Sequence, residues 1–207
     1  MNHQLTKGHI TKSLLFFSLP MILGNLLQQF YNIADTFIVG QYLGSHALAA
    51  VGSSFTIMTF LTSIILGLCM GSGILFSMLF GAKEVDKMKT SFFVSFIGIA
   101  VLAVIIEILC LLCIHPILTF LNIPTDIYQQ TYDYLWIIFF GFFFTFLYNY
   151  FSCVLRALGN SRIPLIFLAI ATTVNIILDI FFIVSLNSGV GGAALATVIA
   201  QAMSGIG

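Results

Sequence analysis

Apolar residues fill this chain in long blocks separated by short polar breaks. Six of the blocks are long enough to cross a hydrocarbon layer of about 30 Å, which takes about 20 helical residues. They run from Ser13 to Val39, Ala47 to Phe80, Met88 to Ile114, Tyr128 to Leu155, Ile163 to Leu186, and from Gly191 to the last residue, Gly207, where the sequence is still apolar. The pattern predicts an all-α integral membrane protein, a six-transmembrane-helix bundle.

Composition sharpens this picture: 60% of residues are hydrophobic, only 7% are charged, and the mean hydropathy is +1.12, far outside the range of a water-soluble domain. The opening block follows Lys7 and Lys12 as a signal peptide would. It is too long for one, however, carries Asn25, Gln28, Gln29, Asn32 and Asp35, and lacks a small-residue cleavage site. Cys69, Cys110, Cys113 and Cys153 all fall in apolar segments, where a thiol behaves as a small hydrophobe, so no disulfide framework is implied.

The formal net charge is zero and no basic patch exists, which argues against a nucleic-acid partner. The seven cations fall into alternate breaks: Lys7 and Lys12 precede the first span, Lys83, Lys87 and Lys89 lie between the second and third, and Arg156 and Arg162 lie between the fourth and fifth. By the positive-inside rule that side is cytoplasmic, with the N-terminus inside. The other breaks, Tyr42 to His46, His115 to Ile127 and Asn187 to Gly192, hold no lysine or arginine and are expected as outer loops, with Tyr132, Tyr134 and Trp136 in the outer interfacial belt.

Ionisable groups at the centre of a membrane helix cost on the order of 3 kcal/mol, so each needs a reason. Asp35, Glu107 and Asp179 are such groups. In the first span Asn25, Gln28, Asn32 and Asp35 follow at steps of three, four and three, which sets them on one face. Pro20 removes a backbone hydrogen bond near the cytoplasmic end of the same span and bends it. In the fifth span Thr172, Asn175 and Asp179 repeat the one-face arrangement.

At 1.5 Å per residue Asp179 lies about 24 Å from Ile163, and Thr197 about 9 Å below the start of the sixth span, so both share the outer half of the membrane with Asp35. Two carboxylates, a carboxamide and a hydroxyl at one depth suit a proton, held because two charges repel in a low dielectric, or a hard cation such as sodium whose water shell the oxygens replace. Tyr134 is placed to donate a hydrogen bond to the same cluster. Glu107, flanked by isoleucine, leucine and valine, has no such company and is read as an acid bonded to a neighbouring helix.

Other signals are set aside. The Cys110-Leu111-Leu112-Cys113 pair sits in an apolar helix with the wrong spacing to His115 for haem attachment, and Gly189, Gly191 and Ala194 mark a tight turn, not a dinucleotide fingerprint. Gly67, Gly71 and Gly73 are read as helix-packing positions, and Phe139 to Phe146 as core or lipid-facing residues.

These residues resemble the multidrug and toxic compound extrusion (MATE) family. The matching stretches are Leu19-Pro20 through Asn25, Gln28 and Asp35, the loop from Arg156-Ala157-Leu158-Gly159-Asn160 to Pro164, and Asn175 with Asp179. The last pattern is similar to the bacterial and archaeal branch related to DNA-damage-inducible transporters. The resemblance implies a cation-coupled antiporter, driven by H+ or Na+, that exports amphipathic or cationic compounds across a bacterial cytoplasmic membrane, with no cofactor and no enzymatic activity.

It further implies that residues 1–207 form the N-terminal lobe, with a C-terminal six-helix lobe outside this chain. The coupling-ion site then maps to Asp35, Asn175, Asp179 and Thr197. Tyr134 is adjacent, Gln28 and Asn149 line the lobe cavity, Asn32 shares their face and Pro20 serves as the bending point. Two other readings use the same polar faces: a lipid-linked oligosaccharide flippase of the same superfamily, which the lack of basic residues within the spans disfavours, and a non-transporting scaffold subunit.

Overall fold

The computed structural model describes residues 10–206, and every regular element among them is helical. Lys7 and Gly207 lie outside the described residues. The elements are α1 (Ile10–Gly81), α2 (Val85–Leu112), α3 (Ile114–Phe120), α4 (Tyr128–Phe140), α5 (Phe142–Ala157), α6 (Arg162–Ile180) continued by a π-helical turn (Phe181–Ser185), and α7 (Gly189–Ile206).

Drawn straight, α1 would measure about 108 Å at 1.5 Å per residue, more than three bilayer cores. It reverses at Gly44, whose φ of 84° and ψ of −174° lie in a region open to glycine alone. The sequence predicts a loop over Tyr42 to His46; the chain instead turns at one residue, because glycine needs no longer connection. The two arms, 10–43 and 45–81, then pack together through Val39, Ala47 and Val51. With α2, the α4–α5 pair, α6 and α7, they make six crossings.

The fourth crossing is broken. The axes of α4 and α5 are bent by 48° at Gly141. A Cβ on Gly141 would stand 2.4 Å from Cγ2 of Val198 in α7, so only glycine lets the two elements approach this closely. The stretch after α2 also departs from the expected loop: Ile114–Phe120 forms a short helix, with Pro116 in its first turn, where no intrahelical amide is required.

Between α5 and α6, Gly159 at φ 82° makes the turn and the Asn160 side-chain oxygen accepts the amides of Arg162 (3.2 Å) and Ile163 (3.3 Å), capping α6. That frees the buried Ser161 hydroxyl, which donates to the Phe17 carbonyl at 3.1 Å. Pro20, inside α1, offers no amide to the adjacent Phe16 carbonyl. Ser161 therefore ties the weakened start of α1 to the α5–α6 turn. Ser161→Ala is expected to lower stability by about 0.5–1.5 kcal/mol, the usual net value of one hydrogen bond; thermal unfolding of the purified protein measures it.

α7 is the central helix and packs on α1, α4, α5 and α6. Its small residues permit this: Ala193, Ala194, Ala196 and Ala200 are buried, and Gly205 lies so near α5 that a Cβ would meet the Phe144 carbonyl at 3.0 Å. A core of Phe76, Phe139, Phe142, Phe146 and Tyr150 fills the space between the second arm of α1, α2, α4 and α5, so these phenylalanines serve packing. Gly67 and Gly71 differ from their expected packing role, since a Cβ on either would meet nothing within 4 Å; Gly73 makes the close approach, to the Cys153 carbonyl. Large apolar side chains such as Phe37, Phe93 and Phe120 are exposed, as a lipid-facing surface requires.

Candidate functional site

The first arm of α1, α6 and α7 converge on a polar cluster. Asp35 and Thr197 are buried at 8% exposure, and Asn175 and Asp179 are fully enclosed. The Asn175 amide lies 3.5 Å from the Thr197 hydroxyl, which also accepts from the Tyr31 hydroxyl at 3.1 Å. The Asp35 and Asp179 carboxyls face one another. The helical steps explain the convergence: residues three or four apart project from one side of each helix, and all three polar sides turn inward, away from lipid.

The hydrogen-bond accounting of this cluster does not close within the protein. Oδ1 of Asp35, Oδ1 of Asn175 and both carboxyl oxygens of Asp179 are buried without a hydrogen-bond partner. No lysine or arginine occurs from 13 to 82 or from 163 to 206, so these elements bring no basic side chain to balance the carboxyls. Two carboxylates this close in a low dielectric repel strongly, and an orphaned buried acceptor costs about 1–3 kcal/mol, more when charged. A proton shared between the carboxyls, or a hard cation bound by the oxygens, relieves both penalties. Among the described residues no group of three or more His, Cys, Asp and Glu gathers anywhere, which leaves the cluster without the donor set of a transition-metal centre.

The cluster is layered against a cleft of about 1030 Å³. Asp35, Thr197, Tyr31 and Tyr134 form part of its wall, whereas Asn175 and Asp179 stand behind them. Gln28, Asn32 and Asn149 also line the cleft, Asn32 donating to Gln29 (3.4 Å) and Asn149 to the Thr145 carbonyl (2.8 Å). Pro20 lies in α1 away from this wall, and Asn25 does not line it. Tyr134 was expected in the interfacial belt as well as beside the cluster; its side chain is buried against α1 and α7 in the outer core, while Trp136 is exposed. No phenylalanine from 139 to 146 borders the cleft.

Three contributors escape a reading based on charge. Tyr31 sits four residues before Asp35, Gln201 four after Thr197, and Thr145 donates a hydrogen bond to Gln201. The first two share a helix face with a named site residue, so the same spacing argument reaches them. Glu107 stays apart from the cluster: its helix, α2, touches neither α6 nor α7, and its carboxyl accepts the Phe143 amide at 3.1 Å.

Comparison with known proteins follows the same lines. The family model MatE matches residues 20–181. The chain is 33% identical over 202 residues to "Probable multidrug resistance protein YpnP" of Bacillus subtilis, an alignment covering 98% of this chain and 45% of that protein. It is 32% identical over 200 residues to "Multidrug export protein MepA" of Staphylococcus haemolyticus, covering 97% of this chain and 44% of that one. A solved structure described as the outward-facing conformation of a multidrug resistance MATE family transporter of the MOP superfamily superposes with a TM-score of 0.92 at 27% identity, over 99% of this chain and 45% of that one. The chain thus spans about half the length of the relatives it matches.

Proposed function

The chain belongs to the MATE family, and from that premise we propose that it is the cation-binding lobe of an antiporter that exports amphipathic or cationic compounds. The observation that carries the reading is the pair of enclosed carboxyls, with orphaned oxygens, directly behind the wall of a large cleft. The names of the relatives, multidrug resistance and export proteins, support drug efflux as the activity. On this reading the protein sits in a bacterial cytoplasmic membrane with its N-terminus inside, and a second six-helix lobe completes the substrate path.

The coupling step follows from the electrostatics. With neither proton nor Na+ bound, Asp35 and Asp179 repel and hold the first arm of α1 off α6. Neutralisation removes the repulsion and lets α1 close on α6 and α7, which narrows the cleft and expels its occupant. The ion drives the change only through its different affinity for the two arrangements. The cleft wall carries no lysine or arginine and so favours neutral or cationic cargo over an anionic lipid.

In cells expressing the full reading frame, ethidium efflux should follow an imposed proton or sodium gradient, and Asp35→Asn should slow it by at least about tenfold, within the usual range of coupling free energies. Efflux indifferent to both gradients, or unchanged in Asp35→Asn, would overturn the reading.

A further inference from the structure

Glu107 is a carboxyl within a crossing that the coupling cluster does not use. It projects from α2 among isoleucines and leucines, half-buried, and its carboxyl accepts the amide of Phe143 at 3.1 Å. Phe143 is the second residue of α5, just past the break at Gly141. The first amides of any helix lack an intrahelical acceptor, and in hydrocarbon no water replaces it. At this break the Gly141 amide bonds the Ile138 carbonyl (3.0 Å) and the Phe144 amide bonds the Gly141 carbonyl (3.1 Å), so the Phe143 amide needs an acceptor from elsewhere. α5 has no capping side chain of its own. Glu107 supplies the acceptor across a helix–helix gap, and its negative charge also suits the positive end of α5.

The direction of α5 matters to the cluster. Gly141 abuts Val198, the neighbour of Thr197, and one turn into α5 the Thr145 hydroxyl donates to Gln201, one turn beyond Thr197. These two contacts bracket Thr197 on α7. Upstream of the break, α4 presents Tyr134 to the same cleft wall. We propose that Glu107 is a positioning residue: by capping the broken fourth crossing in trans it fixes the α5–α7 contact that sets Thr197. The proposal rests in part on the coupling-ion reading above, and it requires an acceptor at the right reach, not a charge or an exchangeable proton.

Two conservative variants separate these requirements. Glu107→Gln keeps the acceptor and its reach but drops the charge; Glu107→Asp keeps the charge but is one methylene too short. Hydrogen exchange is followed on the full-length protein in detergent, and the ion concentration for half-maximal ethidium efflux in cells. Glu107→Gln should match the parent in both. Glu107→Asp should exchange the amides of 142–146 about tenfold faster, as loss of one hydrogen bond to a charged group implies, and should need several-fold more coupling ion. A defective Gln variant beside a normal Asp variant would overturn the proposal in favour of a charge or proton role, and two normal or two defective variants would overturn it as well. The exchange pattern needs no transport, so it stands or falls apart from the Asp35→Asn test of function.

Discussion

Asp179→Asn is expected to cut ethidium efflux by about a hundredfold, near the top of the range for a coupling free energy, and to leave the protein folded. Asp179 is completely enclosed and neither of its carboxyl oxygens has a hydrogen-bond partner. Asparagine has the same shape, so packing among α1, α6 and α7 is kept. It takes up no proton and offers a cation only a partial charge, so the repulsion with Asp35 that ion binding relieves is gone. Removal of a buried charge with no compensating cation should hold or raise the unfolding temperature. Efflux in cells and thermal unfolding of purified protein test the two halves separately: unchanged efflux would remove Asp179 from the mechanism, and a collapse in stability would make it a structural residue.

Gly141→Ala is the second large effect. The φ of −91° at Gly141 suits any residue, so backbone strain is not the issue. The added methyl would stand 2.4 Å from Cγ2, 2.7 Å from Cγ1 and 3.0 Å from Cβ of Val198. One of the two helices must shift, and overpacking of this kind costs about 1–3 kcal/mol. The shift falls on α7 beside Thr197, so efflux should weaken together with stability. Val198→Ala removes both clashing methyl groups; in the Gly141→Ala background it should restore most of the unfolding temperature, a coupling that a double-mutant cycle reads directly. Additive losses would show that the contact is not what constrains the break.

The fold class was legible because hydrocarbon imposes its thickness on the sequence: a block of about 20 apolar residues has few other uses. The polar residues were legible for a related reason. Asp35 and Asp179 are anomalies in an apolar helix, and the three-and-four spacing around them names their companions without knowledge of the partner helix. Tyr31 and Gln201 obey the same spacing, yet neither is anomalous enough to attract notice alone.

The break at Gly141 was hidden in a run of phenylalanines with no proline to mark it. Its cause is Val198 on another helix, a contact that exists only after folding. Glu107 was visible as an oddity, but its partner is a backbone amide exposed by that same break, and no side-chain pattern announces an orphaned amide. Gly67 and Gly71 erred in the opposite direction, since a small-residue motif states that close approach is permitted there and not that a helix arrives.

The π-helical turn that follows α6 has a consequence for deletion and insertion. Its amides reach back five residues, as Leu186 to the Phe181 carbonyl shows, so it holds one residue more than an α-turn for the same closure. Loss of any single residue from 181 to 185 would restore the ordinary winding and rotate all that follows by about 100° relative to Asp179. The reversal through Asn187 (φ 50°) and Gly189 (φ 58°) would then launch α7 in another direction. The stretch from Asp179 to Thr197 thus works as a measured spacer whose residue count matters as much as its chemistry. A library of one-residue deletions should find it far less forgiving than the polar turn at 82–84.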